Sequence, residues 1–196
     1  MKSEEPIILR AGRPDVAEGL AFAGYLNAAA EGFFQIWLGR DFNRVLAHAY
    51  TKPGHDLSYE HTTFAVRGER IMGMATGYTA DQHRASSLTP LREAQGYRAV
   101  RAAIIAAVFA PLFRVLDTLE DGDFYLQAIA VDPDLRGAGV GSLLMERVEE
   151  EGRASGSRRL CLDVAGRNAG ARRLYERLGM NVVSESKIFY MPGVRL

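Results

Sequence analysis

The stretch Gln127-Ala128-Ile129-Ala130-Val131-Asp132-Pro133-Asp134-Leu135-Arg136-Gly137-Ala138-Gly139-Val140-Gly141 decides how this chain is read. A strand-like run meets an Asp-Pro stop, a short loop with alternate glycines follows, and an amphipathic helix begins. Val140, Leu143, Leu144 and Val148 share one helical face. Glycine admits positive φ and lets a ligand approach with no Cβ in the way. A helix N-terminus turns unpaired N–H groups and the positive end of its dipole outward. Together they make a main-chain cradle for phosphate. The loop has no Gly-Lys-Ser/Thr, so it is not an ATP-binding P-loop. Its glycines do not match the spacing of a dinucleotide fingerprint, and Asp132–Leu135 separates them from the strand. A glycine-rich turn without a ligand is the alternative.

A second stretch lies downstream. Residues 159–179 read RLCLDVAGRNAGARRLYERLG. Arg136-x-x-Gly139-x-Gly141 after AVDPDLR resembles the acetyl-CoA pyrophosphate loop of the GCN5-related N-acetyltransferase (GNAT) family. The second stretch resembles that family's fifth strand, an Asn opening the next helix, and its LYE-x-x-G ending. The resemblance implies an α/β fold with a mixed, mostly antiparallel central sheet flanked by helices. It implies acetyl-CoA as co-substrate and transfer of the acetyl group to a primary amine of a small molecule, peptide or protein. A binding or regulatory module of the same fold, holding acyl-CoA without turnover, is the alternative.

Composition narrows the partners. A chain of 196 residues, 47% hydrophobic and 24% charged, is expected to form a single globular domain over residues 1–196. Formal net charge is zero, so no long-range field draws in nucleic acid or an anionic membrane. Cys161 is the lone cysteine, which excludes an intrachain disulfide and fits a reducing compartment. MKSEEPIILR carries acids before its apolar run, unlike a signal peptide. The longest apolar stretch, Ala102–Phe113, is too short to span a bilayer and contains Pro111. The reading is therefore soluble and cytoplasmic. His48, His55, His61 and His83 lack metal-ligand spacing, and no metal is expected.

Along the chain, residues 6–10 predict a first strand, and Pro14 suits the start of a helix running to about Asn27. Glu31 to about Tyr50 reads as a second helical region, with Phe33, Phe34, Trp37, Val45 and Leu46 on its apolar face. His61–Arg67 and Arg70–Thr79 read as a hairpin around Gly68-Glu69. Residues 80–122 form an insertion of helical pattern between the third and fourth strands, with segments near Leu88–Gln95 and from Tyr97 to about Leu119. Its run Ala102–Phe113 must pack on the core, form a homodimer surface, or wall the acceptor pocket. Phe124–Val131 is the fourth strand and Leu160–Val164 the fifth, with Gly152 near the end of the intervening helix. Asn168 is a good N-cap, Ala171, Leu174, Tyr175 and Leu178 make the buried face of the last helix, and Gly179 ends it. Val182–Met191 supplies the last strand material.

Acyl transfer to an amine needs a held donor, a neutral amine, a stabilised oxyanion and a protonated thiolate. Main-chain amides of Arg136, Gly137, Ala138, Gly139, Val140, Gly141 and Ser142 are the candidates for the pyrophosphate. The Arg136 side chain is either the loop's cation or a solvated arginine. The resemblance places Ile129, Ala130 and Val131 beside the pantetheine arm and thioester, where strand amides can face the oxyanion. Alternation sets Cys161, Asp163 and Ala165 on the face opposite Leu160, Leu162 and Val164. A carboxylate in a strand needs a reason, since acids are seldom buried unpaired. GNAT enzymes acting on protein N-termini carry a basic carboxylate at the matching place, which implies Asp163 as the general base. Here Glu becomes Asp, shorter by one methylene, so the proton is taken directly or through a bridging water. A structural carboxylate paired with arginine or a backbone amide is the other reading. Gln127 stands where some members carry a catalytic Glu and cannot act as a base. The resemblance also implies that Tyr175 protonates the departing thiolate and that Asn168 contacts the CoA arm. Plain packing and plain capping are their alternatives.

Overall fold

The computed structural model describes residues 5–96, 100, 103, 118–135, 137–166 and 168–183. The insert run Ala102–Phe113, apart from residue 103, lies outside the described residues, as do Arg136, Arg167 and nearly all of the last expected strand.

In chain order the elements are β1 (Ile8–Ala11), α1 (Val16–Ala29), α2 (Phe33–Leu38), α3 (Phe42–Tyr50), β2 (Thr62–Arg67), β3 (Arg70–Thr79), α4 (Ala80–Ala85), α5 (Thr89–Gln95), β4 (Asp123–Val131), α6 (Val140–Ala154), β5 (Arg159–Leu162) and α7 (Ala169–Arg177). The strands form one sheet in the order β1-β2-β3-β4-β5. Its first three pairings are antiparallel and β4–β5 is parallel. This is the mixed α/β sheet expected from the sequence.

Strand alternation splits the core into two layers. Phe64, Met74 and Ala128 face α1–α3 and pack with Phe22, Leu26, Leu46 and Tyr50. Ala65, Ala75, Phe124 and Leu126 face α6 and pack with Val140, Leu144 and Val148. Burying a Leu or Phe side chain is worth about 1.5–3 kcal/mol, so these layers hold the sheet between its helices. At the head of β4, Asp123 is 2% exposed and paired with Arg159 at 2.7 Å. That arginine and the Glu120 amide hold the Asp123 carboxyl below the usual carboxylate range. Asp123 and Arg159 are also register partners, so the pair fixes where β4 and β5 begin to run together.

Several local expectations are corrected. The helical region expected over Glu31–Tyr50 is two helices. Glu31 and Gly32 have φ of 52° and 90°, and Gly39 has φ of 84°, a conformation in which an α-helix cannot continue. Helix α1 begins at Val16 rather than Pro14 because Asp15 is the N-cap, its Oδ1 accepting from the Ala17 and Glu18 amides. The insertion opens with a helix not anticipated, α4, whose capping box joins Thr79 and Gln82. As expected, Gly152 lies near the end of α6, where it packs against Phe124. Strand β5 stops at Leu162, so Asp163 and Val164 lie beyond it. The face of α7 expected to be buried is only partly covered: Leu174 is 41% exposed, and Leu178, just past the helix, 47%, while Ala171 and Tyr175 line a cleft.

Two histidines make stability pH-dependent. His55 is 3% exposed; its Nδ1 accepts from the Leu57 amide, which leaves Nε2 to donate to the Ala49 carbonyl. Burial lowers the pKa of His55, and also that of His61. Both are neutral when native and bind protons more readily when unfolded. Their contribution is therefore complete above the unfolded value of about 6.5 and is lost as pH falls below it. We expect the urea midpoint to fall between pH 7.5 and pH 5.5; a flat midpoint across that interval would exclude this coupling.

Candidate active site

The site opens where β4 and β5 part. They pair only from Asp123–Arg159 to Leu126–Leu162, while β4 continues to Val131. The reason lies on the other edge of β4. Thr76 faces Ala128 and Gly77 faces Leu126, so Gln127 is an extra residue, a β-bulge. A bulge bends its strand and increases its twist, which turns the end of β4 away from β5.

The resulting cleft encloses about 550 Å³, within the range of small-ligand sites. One wall is α1, through Leu20, Ala21, Gly24, Tyr25 and Ala28. The floor is Leu126, Gln127, Ile129, Ala130 and Val131, and the far wall carries Asp163, Asn168, Ala171 and Tyr175. Ile129, Ala130 and Val131 therefore line the cleft, as do Asp163, Asn168 and Tyr175. The structure brings these expected site residues together.

The glycine loop stands at the end of β4. Gly137 and Gly139 have φ of 84° and 82°. A Cβ built on either meets nothing within 4 Å, so the space above the loop is open. No side chain caps α6, whose N-cap is Gly139. Its first amides, from Val140, Gly141 and Ser142, thus have neither an intrahelical acceptor nor a capping side chain. This donor set, with the dipole behind it, fits a pyrophosphate. The loop's root is tied down at Asp132, which accepts from Tyr25 of α1 at 2.6 Å and from Arg70 of β3 at 2.8 Å.

Asp163 sits at the splay, just past the end of β5. Its Oδ2 accepts from the Tyr125 hydroxyl at 2.8 Å, so among the described residues its partner is a neutral tyrosine and not an arginine or backbone amide. Burial, and then the Asp163 charge, push the Tyr125 pKa well above 10, which keeps that hydroxyl a donor. Burial also raises the pKa of Tyr175, so it holds its proton at neutral pH. Asn168 caps α7, its Oδ1 accepting from the Ala171 amide at 3.1 Å. Gln127 lines the cleft, and its buried Oε1 has no hydrogen-bond partner among the described residues. Among the described residues no group of three or more His, Cys, Asp and Glu side chains could hold a metal, and no helix is long and apolar enough to cross a membrane.

Residues 22–180 match the model of the Acetyltransferase (GNAT) family. The chain belongs to the GNAT family. It is 40% identical over 62 residues to the [ribosomal protein bS18]-alanine N-acetyltransferase of Salmonella typhimurium, a match spanning 32% of this chain and 42% of that protein. It resembles the crystal structure of an acetyltransferase at 25% identity and a TM-score of 0.65, over 90% of each chain. An aminoglycoside N-acetyltransferase solved with CoA superimposes over 99% of each chain with a TM-score of 0.57; at 15% identity that likeness is one of fold.

Three features of this GNAT cleft were not read from the sequence. Tyr125 lies 38 positions from Asp163, and Tyr25 lies 107 from Asp132, so nothing local joins them. The small residues Ala21, Gly24 and Ala28 on one face of α1 were a readable sign that something passes close to that helix.

Proposed function

We propose that this GNAT protein is an acetyl-CoA-dependent N-acetyltransferase that delivers the acetyl group to a primary amine by direct attack on the thioester. The observation that carries this reading is the splayed β4–β5 cleft, with an uncapped glycine-loop helix start at one end and a carboxylate at its throat. Amides of residues 136–142 hold the pyrophosphate, and Ile129–Val131 run beside the pantetheine arm. Asp163 takes the amine proton, directly or through a water. The nitrogen lone pair then forms the C–N bond as the carbonyl electrons move to oxygen, where amide donors of β4 stabilise the charge. As the carbonyl re-forms, the C–S bond breaks and Tyr175 gives its proton to the departing sulfur, while the nitrogen sheds its second proton to solvent and the tyrosinate takes one back from solvent. The activities of the relatives, on a ribosomal-protein alanine and on aminoglycosides, support an amine acceptor.

The test is thiol release from acetyl-CoA with a panel comprising an alanine-initiated peptide, an aminoglycoside and a diamine. Amine-dependent thiol release, with N-acetyl product seen by mass spectrometry, is expected. CoA binding without turnover on any amine would favour the regulatory-module reading.

A further inference from the structure

Asp163 has left the β5 ladder, so regular strand pairing no longer holds it. Its side chain is tethered instead from the neighbouring strand. Phe124 and Leu126 point into the α6 core, and Tyr125 between them projects to the opposite face. Its register partner is Cys161, two residues before Asp163, which brings the hydroxyl to Oδ2 at 2.8 Å. The ring is 8% exposed and packed against Tyr78, 5.6 Å between centroids. Tyr78 in turn stacks on His83 of α4 at 5.5 Å and 13°, and His83 Nδ1 is 2.7 Å from Asp56 Oδ2. The Tyr125 ring is therefore supported from behind by the helix that opens the insertion.

We infer that Tyr125 is the positioning residue of the acyl-transfer site: its hydroxyl holds one oxygen of the Asp163 carboxylate so that the other is presented to the incoming amine. This inference rests on the reading of Asp163 as the base. A neutral donor suits that task. An arginine would orient the carboxylate too, but would occupy both oxygens and cancel the charge that attracts the proton. A tyrosine hydroxyl has one proton to give and leaves the second oxygen free.

The test is a double-mutant cycle with the acceptor amine that scores in the panel above. Tyr125→Phe is expected to lower kcat roughly tenfold, the effect of losing one hydrogen bond to a charged group, with KM for acetyl-CoA and the Kd of CoA within about twofold. In an Asp163→Asn background the same substitution is expected to have no further effect, because the tether no longer has a base to orient. Wild-type turnover in Tyr125→Phe would overturn the inference while leaving the base reading intact, provided Asp163→Asn is slow. So would an equal slowing by Tyr125→Phe in both backgrounds, or loss of CoA affinity together with the rate, which would mark a purely structural residue. Wild-type turnover in Asp163→Asn would instead remove the base reading, and this inference with it.

Discussion

Asp163→Asn is expected to cut turnover by about a hundred- to ten-thousandfold, the usual contribution of a general base, with CoA affinity nearly unchanged. The carboxylate stands at the splay of β4 and β5, away from the uncapped amides of α6 that are proposed to take the pyrophosphate. In the proposed function it acts on the amine and not on the donor. The amine arrives protonated, since alkyl ammonium groups have a pKa of about 10.4 and α-amines of about 8. Removing the proton acceptor therefore stops the step that makes a nucleophile. The ascending limb of the pH–rate profile should be lost or displaced in the variant, because at higher pH more of the amine is already neutral. Steady-state kinetics against pH, with calorimetry of CoA binding, separate the two quantities. A variant that turns over at the wild-type rate at neutral pH would send the search for a base to waters held at Gln127 or to groups on the acceptor.

Gly139→Val is expected to weaken CoA binding by roughly ten- to a hundredfold, the loss of one or two hydrogen bonds to a charged phosphate, while the fold survives. Two causes act together. The backbone φ of 82° places a branched side chain in a region that L residues avoid, at a cost of about 1–2 kcal/mol. The added side chain would also enter the open space above the loop, where the phosphate must approach the α6 amides. The position is exposed and contributes no core contact, so circular dichroism should match that of the parent. Unchanged CoA affinity in a folded Gly139→Val would remove the cradle assignment.

The two variants fail in different ways because the site has two halves of different origin, and the sequence discloses them unequally. The donor half is local. The strand, the Asp132-Pro133 stop, the glycine loop and the first turn of α6 lie within consecutive residues, and each is dictated by neighbours a few positions away. Periodicity marks the helix, glycine marks the positive φ, and the order of elements makes the cradle. The same locality made the Asn168 cap, the Gly179 stop and the β2–β3 hairpin readable. Asp15 as a cap and Gly39 as a helix break are local signals too, each set within a longer stretch of helical apolar pattern.

The acceptor half is decided by tertiary structure. That β4 and β5 part after Leu126 and Leu162 depends on a bulge at Gln127, and a bulge is a choice made by two strands together. Alternation alone would have carried β5 through Val164 and left Asp163 inside a ladder. In the fold, Asp163 stands free of that ladder and is held by Tyr125, a contact that exists only because parallel pairing sets Tyr125 opposite Cys161. The exposure of Leu174 and Leu178 has a similar origin, since helical spacing names a face but not what that face meets. The sequence by itself determined the family, the sheet and the glycine loop that opens α6, because these follow from short-range backbone preference and periodicity. Where the carboxylate points, and what holds it there, depends on register between distant strands, and only the packed sheet decides it.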